Sequence, residues 1–228
     1  MNPKKAIIFD AGAIISLSMN GLLDELVKLK KIFNGNFLIT KQVRNELIGK
    51  PIKIKRFELE ALKAQKLLED KVLEEANSCG ISDSLIESQT KEMMDTANGI
   101  FGDKVGNINI MQIGEASCLA LSRILQEKGI DNVIVIDERT TRMLAEKPEN
   151  LRNLLRKKLH AKITFLKKDF KHFENFKIIR SAELMYIAWK KGLLSIKKGN
   201  VLDAVLYALK SKGCSISETE IDEIKRLK

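Results

Sequence analysis

Two short apolar runs stand out along the chain, and each has the pattern of a strand covered on both faces. Residues 5–9 and 132–136 are almost uninterrupted by polar side chains. Runs of this length and composition are typical of buried strands in a parallel sheet. Shorter apolar runs lie at residues 37–39 and 163–166. We therefore expect these four segments to belong to one parallel sheet, the last two as weaker strands.

Segments with helical spacing lie between these runs. Apolar positions from Leu22 to Leu29 form one stripe, and a second stripe includes Val43 and follows Thr40, a suitable N-cap. Residues 113–128 have the same periodicity. Alternating strands and helices are characteristic of an α/β fold. The pattern therefore predicts a central parallel sheet flanked by helices.

Two helical regions are expected in addition to this alternation. Residues 57–98 contain two consecutive helical stripes, which we expect to form a helical hairpin inserted into an α/β domain at residues 1–166. Residues 167–228 are predicted to form a helical extension, and its last helix opens at a capping box between Ser217 and Glu220.

The chain is strongly basic. Forty Lys and Arg against thirty Asp and Glu give its 228 residues a formal net charge of +10. The positive charge is concentrated at residues 50–56, 152–171 and 190–198. Such concentrations favour a polyanionic partner. A solvated surface rich in Lys and Glu would give similar numbers, so charge alone does not choose between the two interpretations.

Several features indicate a protein of the cytoplasm. No window reaches the roughly 20 apolar residues that a membrane span requires. The first apolar run meets Asp10 too early to form the core of a signal peptide. The three cysteines are far apart and form no CxxC pair, so neither a disulfide framework nor a thiolate zinc site is indicated. We expect a soluble cytoplasmic protein without membrane association.

Acidic residues follow the two clearest predicted strands. Asp10 comes directly after residues 5–9, and Asp137 comes directly after residues 132–136. Ligands of open parallel sheets bind beyond the carboxyl ends of the strands, so both residues are candidate site residues. Each also has a structural explanation, because Asp10 could form a turn and Asp137 could cap the helix that begins near Glu138.

Two glutamates extend this acidic set. Glu46 is expected on the flank of the buried face of its helix, and Glu115 in the first turn of another. A solvated side chain and an interaction with the helix dipole are the respective alternatives. Four carboxylates in one cleft would repel one another unless a cation neutralised them. Mg²⁺ prefers such oxygen ligands and can activate water for phosphodiester hydrolysis, so the four acids together suggest a metal site.

Several stretches of the sequence resemble the motifs of the PIN-domain nucleases. The likeness covers about residues 4–166 and is closest to prokaryotic members of that family. The stretches are residues 7–17 with Asp10, residues 113–120 with Gly114 and Glu115, residues 135–142 with Asp137, Glu138 and Arg139, and, more weakly, Val43 with Glu46.

This resemblance implies a Rossmann-like fold and a ribonuclease that uses Mg²⁺ or Mn²⁺ to cleave single-stranded or structured RNA. It implies that Glu138 is an auxiliary metal-binding acid and that Arg142 is a phosphate contact or a structural partner. The metal-binding and catalytic residues that it implies are Asp10, Glu46, Glu115 and Asp137. Members of the family often act as toxins, so an antitoxin or other protein partner is a further expectation, as is a homodimer.

Two other functions are compatible with the same sequence. The first is a non-catalytic module that binds RNA or a ribonucleoprotein, with a PIN-like fold and a structural acidic cleft. The second is a phosphatase of the haloacid-dehalogenase type, because a nucleophilic Asp also follows the first strand in those enzymes. They need a second acid two residues further on, where this chain has Gly12. The phosphatase is therefore the weaker alternative.

Overall fold

The computed structural model describes residues 5–167, 170–197 and 199–227, and these form seven strands and eleven α-helices. The strands are Lys5–Phe9 (β1), Asn36–Ile39 (β2), Glu74–Glu75 (β3), Phe101–Gly102 (β4), Asp131–Val135 (β5), Thr164–Phe165 (β6) and Ile178–Ile179 (β7). The helices are Ala11–Met19 (α1), Leu23–Ile32 (α2), Lys41–Arg44 (α3), Lys55–Glu69 (α4), Asp83–Asn98 (α5), Ile113–Glu127 (α6), Arg139–Glu146 (α7), Pro148–Leu159 (α8), Ser181–Lys190 (α9), Val201–Ser211 (α10) and Glu218–Arg226 (α11).

Five parallel strands form the central sheet, in the order β3-β2-β1-β5-β7. Ile8 in the middle of β1 lies between Leu38 of β2 and Ile134 of β5, and all three side chains are fully buried. Helices flank this sheet and continue its hydrophobic core. The prediction of an α/β, Rossmann-like fold with a parallel sheet is confirmed.

The local signals in the sequence explain several of these elements. Both long apolar runs are strands, and the run at residues 37–39 forms most of β2. Thr40 caps α3, because its hydroxyl accepts a hydrogen bond from the Val43 N–H at 3.2 Å. Ser217 similarly caps α11 within the predicted capping box.

One predicted strand of the central sheet belongs to a second, smaller sheet. The run at residues 163–166 contains β6, which pairs antiparallel with β4 in a separate two-stranded sheet. The fifth strand of the central sheet is instead β7, which pairs with β5 through Ile134 and Ile178. A two-residue strand has too few positions to show a periodic pattern, so the apolar run at 163–166 was the stronger but misleading signal.

The two helices of residues 57–98 pack mainly against other elements of the domain. Helix α4 packs mainly against α1 and the turns that precede it, whereas α5 packs mainly against α6. Between them the chain forms β3, which extends the central sheet beside β2. Periodicity identifies an apolar face but not the surface that it packs against, and here the faces of the two helices join the main core.

The C-terminal helices share the core of the sheet domain. Helix α9 contacts α1 and α2, and α10 packs on α9. Buried residues of all three C-terminal helices, such as Met185, Leu206 and Ile221, belong to the same hydrophobic cluster as Phe9. The segment 167–228 therefore supplies both the edge strand β7 and part of the core. In the described part of the chain, no helix combines the length and apolar character needed to cross a membrane.

Candidate functional site at the carboxyl edge of the sheet

The strand order creates a crevice between β1 and β5. The chain adds β2 and β3 on one side of β1, then returns to place β5 on its other side. The loops that leave β1 and β5 therefore diverge, and ligands bind at such switch points in open α/β sheets. Asp10 directly follows β1, and its N–H donates to the Val135 carbonyl at 3.0 Å. The sequence-predicted acids Asp10 and Asp137 thus lie at this edge.

Asp10 is a buried N-cap. Only 6% of the residue is exposed, and its Oδ2 accepts a hydrogen bond from the Gly12 N–H at 3.0 Å. Burial raises the pKa of Asp10 to about 6, and the negative charges of Glu46 and Asp137 act in the same direction. The backbone N–H groups of Gly12 and Ala11 oppose this rise. The Asp10 carboxylate therefore caps α1, and its negative charge is poorly compensated by the surrounding groups.

Glu46 lies in a π-helical turn, Asn45–Gly49, that continues α3. Such turns are rare and frequently occur at functional sites. The carboxylate lies directly over Gly114, where a Cβ would be 2.8 Å from Oε2 and 2.9 Å from Oε1. A side chain at position 114 would therefore require the Glu46 carboxylate to move. Burial raises the pKa of Glu46, while Lys50 and a hydrogen bond from the Gly114 backbone oppose the rise.

Glu115 holds the start of α6. Its Oε2 accepts hydrogen bonds from the Gln112 N–H at 3.0 Å and from the Thr141 hydroxyl at 2.9 Å. Burial raises the pKa of Glu115 to about 7, and the charges of Asp10 and Glu138 raise it further against these hydrogen bonds. The hydrogen bond to the start of α6 therefore explains part of the position of Glu115. It does not explain why the Glu115 carboxyl is close enough to Asp10 to interact with its charge.

Asp137 is held by the C-terminal helices. Its Oδ1 accepts from the Ser181 N–H at 2.8 Å, and its Oδ2 accepts from the Ser181 hydroxyl at 2.7 Å. Asp137 is 2% exposed. The interpretation of Asp137 as the cap of the following helix is wrong, because Glu138 caps α7 by accepting from the Thr141 N–H at 3.0 Å. Asp137 instead fixes the start of α9 against β5.

Arg142 makes a structural contact. It is 8% exposed, and its guanidinium lies 3.7 Å from the Glu220 carboxylate of α11. Arg180 lies beside the same carboxylate at 2.7 Å. Of the two roles implied for Arg142, that of structural partner agrees with this contact. Its role as a phosphate contact stays a prediction.

The four acids influence one another electrostatically. Glu46 and Asp137 both raise the pKa of Asp10, and Asp10 raises the pKa of Glu115. These carboxylates supply the oxygen donors that Mg²⁺ and Mn²⁺ prefer, and a cation would relieve their repulsion. Among the described residues, no group of three or more His, Cys, Asp and Glu side chains has the arrangement of a metal-binding set. The donor chemistry therefore fits a cation, although the side chains do not form a closed set of ligands.

Three contacts of the acids were not predicted from the sequence. Ser181 binds Asp137, Thr141 binds Glu115, and Gly114 leaves room for Glu46. Thr141 and Gly114 lie within the recognised motifs, so their positions were visible in the sequence. Ser181 is 44 residues from Asp137, and no local pattern connects them.

Comparison with known proteins gives no matching family model, no matching curated protein and no matching solved structure.

Proposed function

We propose that this protein is a metal-dependent endoribonuclease of the PIN type, which hydrolyses RNA phosphodiester bonds with Mg²⁺ or Mn²⁺. The observation that carries this proposal is the set of interacting acids at the switch point of the sheet. Asp10 and Glu115 are both buried, and the pKa of each is raised in part by neighbouring carboxylates. Perturbed acids in a crevice are typical of functional sites.

The acids have distinct roles in this proposal. Asp10, Glu46 and Glu115 would bind the cation, and Asp137, whose oxygens already accept from Ser181, would bind it directly or through water. Glu138 would act as an auxiliary acid from the start of α7. When bound, the cation would activate water and stabilise the charge that develops on the phosphate. The chain itself would orient the carboxylates through Gly12, Thr141 and Ser181.

The charge distribution supports RNA as the substrate. An acidic crevice by itself repels phosphate groups, whereas the chain as a whole has a formal net charge of +10. Basic surfaces attract nucleic acid without regard to sequence and so increase the local substrate concentration. A cytoplasmic location and a protein partner such as an antitoxin or a second copy are further parts of the proposal.

A specific observation favours one alternative, a non-catalytic RNA-binding module. Both carboxylate oxygens of Asp137 are engaged by Ser181, so this acid has a structural role without any metal. In such a module the acids would anchor helices at the carboxyl edge of the sheet. RNA binding would then occur without metal-dependent cleavage.

Cleavage of a labelled RNA panel separates the two functions. Purified protein is incubated with single-stranded and structured RNAs in Mn²⁺, Mg²⁺ or EDTA, beside the Asp10→Asn and Glu115→Gln variants. Asp131→Asn is the matched control, because Asp131 is an exposed acid at the opposite end of β5. We expect metal-dependent cleavage by the wild type and the control only. Cleavage that persists fully in both site variants, or binding without cleavage in any metal, would contradict the nuclease proposal.

A further inference from the structure

Positive charge is concentrated in one short segment of the chain. Residues 147–167 contain seven Lys and Arg residues and a single acid, Glu149, which gives a net charge of +6. This segment, which covers α8 and β6, thus holds more than half of the net charge of +10.

The segment forms a groove with a volume of about 1020 Å³. Residues of α8, the turn after it and β6 line this groove, which we call the basic groove; its charged and aromatic side chains include Arg152, Arg156, Lys157, Lys162 and Phe165. The Arg152 guanidinium stacks over the Phe165 ring at 4.9 Å from the ring centre. This cation–π contact joins α8 to β6 and so fixes the shape of the groove.

Most cations of the basic groove are available to a ligand. Arg152 pairs with Glu149 at 3.0 Å. Within the described parts of the chain, Arg156, Lys157 and Lys162 form no ion pair, and all three are exposed. The C-terminal end of α8 favours nearby cations and accounts in part for Arg156 and Lys157. It does not account for Lys162, which lies beyond the helix in the turn that leads to β6.

Both walls of the basic groove are connected to the acidic crevice. Helix α8 follows α7, which packs on it and is capped by Glu138; the eight residues of α7 span about 12 Å. The other wall, β6, pairs with β4, and the Leu166 N–H donates to the Ile100 carbonyl at 2.7 Å. Asn98, the last residue of α5 and close to β4, accepts a hydrogen bond at 3.1 Å from the N–H of Met111. Met111 lies in the segment that leads into α6, where Glu115 is located.

We propose that the basic groove binds the phosphate backbone of single-stranded RNA and leads the strand to the acidic crevice. This inference rests on the proposed function for the choice of RNA. The groove itself favours one strand, because a volume near 1000 Å³ suits a ligand of a few nucleotides rather than an enclosed duplex. A concave, positively charged surface suits a flexible polyanion better than a flat membrane.

Binding of RNA in EDTA tests this proposal independently of cleavage. A fluorescein-labelled 12-nucleotide single strand is titrated with protein between 50 and 300 mM KCl, and anisotropy gives Kd. In the groove variant, Arg156, Lys157 and Lys162 are all replaced by Gln. The control variant replaces Lys31, Lys71 and Lys128 by Gln, which removes the same charge from exposed positions near the opposite edge of the sheet.

We expect the groove variant to bind at least tenfold more weakly than the wild type at 100 mM KCl. The slope of log K against log[salt] should become shallower by about two. Each phosphate contact in a single strand contributes roughly 0.7 to this slope, and the variant removes three cations. The control variant should lose less than threefold. Equal losses in both variants, or an unchanged groove variant, would overturn the proposal.

Other ligands and cleavage complete the design. Tighter binding of the duplex form of the same RNA would overturn the single-strand assignment. Groove-dependent binding of polyglutamate or phosphatidylserine vesicles, with RNA binding unaffected, would identify a different partner. RNA bound through the groove but never cut in Mn²⁺ would contradict the proposed nuclease while supporting the groove. Cleavage of a long RNA by the groove variant with unchanged KM would contradict the groove while the nuclease proposal stands.

Discussion

At the residue scale, Asp10 and Glu115 are buried acids whose ionised forms lower the free energy of unfolding when no cation is bound. Replacing Asp10 by Asn removes a charge that Glu46 and Asp137 repel and retains an oxygen for the Gly12 N–H. We expect Asp10→Asn to be more stable than the wild type by about 1 kcal/mol in EDTA, as is common when strained functional sites are relaxed. Urea unfolding measures this difference.

Addition of metal should reverse this order. A cation that binds only the folded protein raises its melting temperature. We expect Mn²⁺ to raise the Tm of the wild type and of Asp131→Asn, and to leave the Tm of Asp10→Asn nearly unchanged. A wild-type Tm that does not respond to millimolar Mn²⁺ or Mg²⁺ would count against a metal site.

Ser181 is a positioning residue for Asp137 in the proposed reaction. Ser181→Ala removes the hydroxyl that donates to Oδ2 but leaves the N–H that donates to Oδ1. Loss of an outer hydrogen bond of this type typically costs 10- to 100-fold in metal affinity or activity. We expect a reduction of that size in cleavage and a shift of the half-maximal Mn²⁺ concentration to higher values.

The conservative variant distinguishes positioning from stability. Ser181→Thr keeps the hydroxyl and should restore most of the metal response. Ser211→Ala, at an exposed serine of α10, should match the wild type. Unchanged metal dependence in Ser181→Ala would show that Asp137 does not need this contact.

Gly114 tests whether Glu46 belongs to the site. A methyl group at this position would meet the Glu46 carboxylate at 2.8 Å, so Gly114→Ala should displace that side chain. We expect cleavage to fall at least tenfold in Gly114→Ala. In a Glu46→Ala background the same substitution has nothing to displace and should have little further effect, so the two changes should be strongly non-additive. Additive effects on cleavage would place the role of Gly114 elsewhere.

At the element scale, the sequence was most informative where a segment alone determines its structure. The apolar run at 5–9, the cap at Thr40 and the capping box at Ser217 are local, and each prediction is confirmed. The pairing of β6 depends on a distant surface, and the expectation that it joins the central sheet was wrong. The main packing partners of α4 and α5 are likewise set by distant surfaces. Local periodicity indicates which face is buried, but it contains no information about the partner of that face.

The same limit applies to the candidate site. Asp10 and Asp137 were identified because strand ends in a parallel sheet meet at one edge. The contacts of Asp137 with Ser181 depend on how α9 returns to β5, and this return follows from the core packing of the C-terminal helices. Spacing in the sequence does not reveal such a contact.

The attachment of α11 should depend on pH. Burial would raise the pKa of Glu220, but hydrogen bonds from Ser217 and the charge of Arg180 lower it to about 2. A lowered pKa stabilises the fold above the unfolded value of about 4.5, and this contribution is lost as the pH falls towards 2. We expect Glu220→Gln to be less stable by about 1 kcal/mol at pH 7, because solvent partly screens this side chain.

Urea unfolding at several pH values measures this contribution. The difference between wild type and Glu220→Gln should be constant near neutral pH and should shrink between pH 5 and pH 2. Glu218→Gln is the matched control, since Glu218 is an exposed acid of the same helix and pairs with Lys210. A difference that is independent of pH would mean that the ionised carboxylate is not what stabilises α11.

At the scale of the whole molecule, charge of opposite sign is separated between neighbouring regions. Asp10 and Asp137 lie at the ends of β1 and β5 and interact with further acids of the crevice, whereas residues 147–167 have a net charge of +6. A cation in the crevice and a polyanion in the basic groove would each neutralise one region. The arrangement therefore supports a protein that brings a phosphate backbone to a metal ion, which neither region would do alone.

The shared hydrophobic core makes a prediction about the chain as a unit. A chain shortened to residues 1–166 lacks β7 and the helices α9 to α11, whose buried side chains include Met185, Leu206 and Ile221. Each buried side chain of this size contributes about 1.5 to 3 kcal/mol, and the loss of many exceeds the 5–15 kcal/mol by which domains are stable. The truncation also leaves Asp137 at the sheet edge without its partner Ser181.

We expect the shortened chain to lose cooperative urea unfolding and near-ultraviolet circular dichroism, while the full chain retains both. Cooperative unfolding of residues 1–166 would instead support the division into a domain and a separate extension, and binding of Asp137 by Ser181 would then be dispensable for the fold.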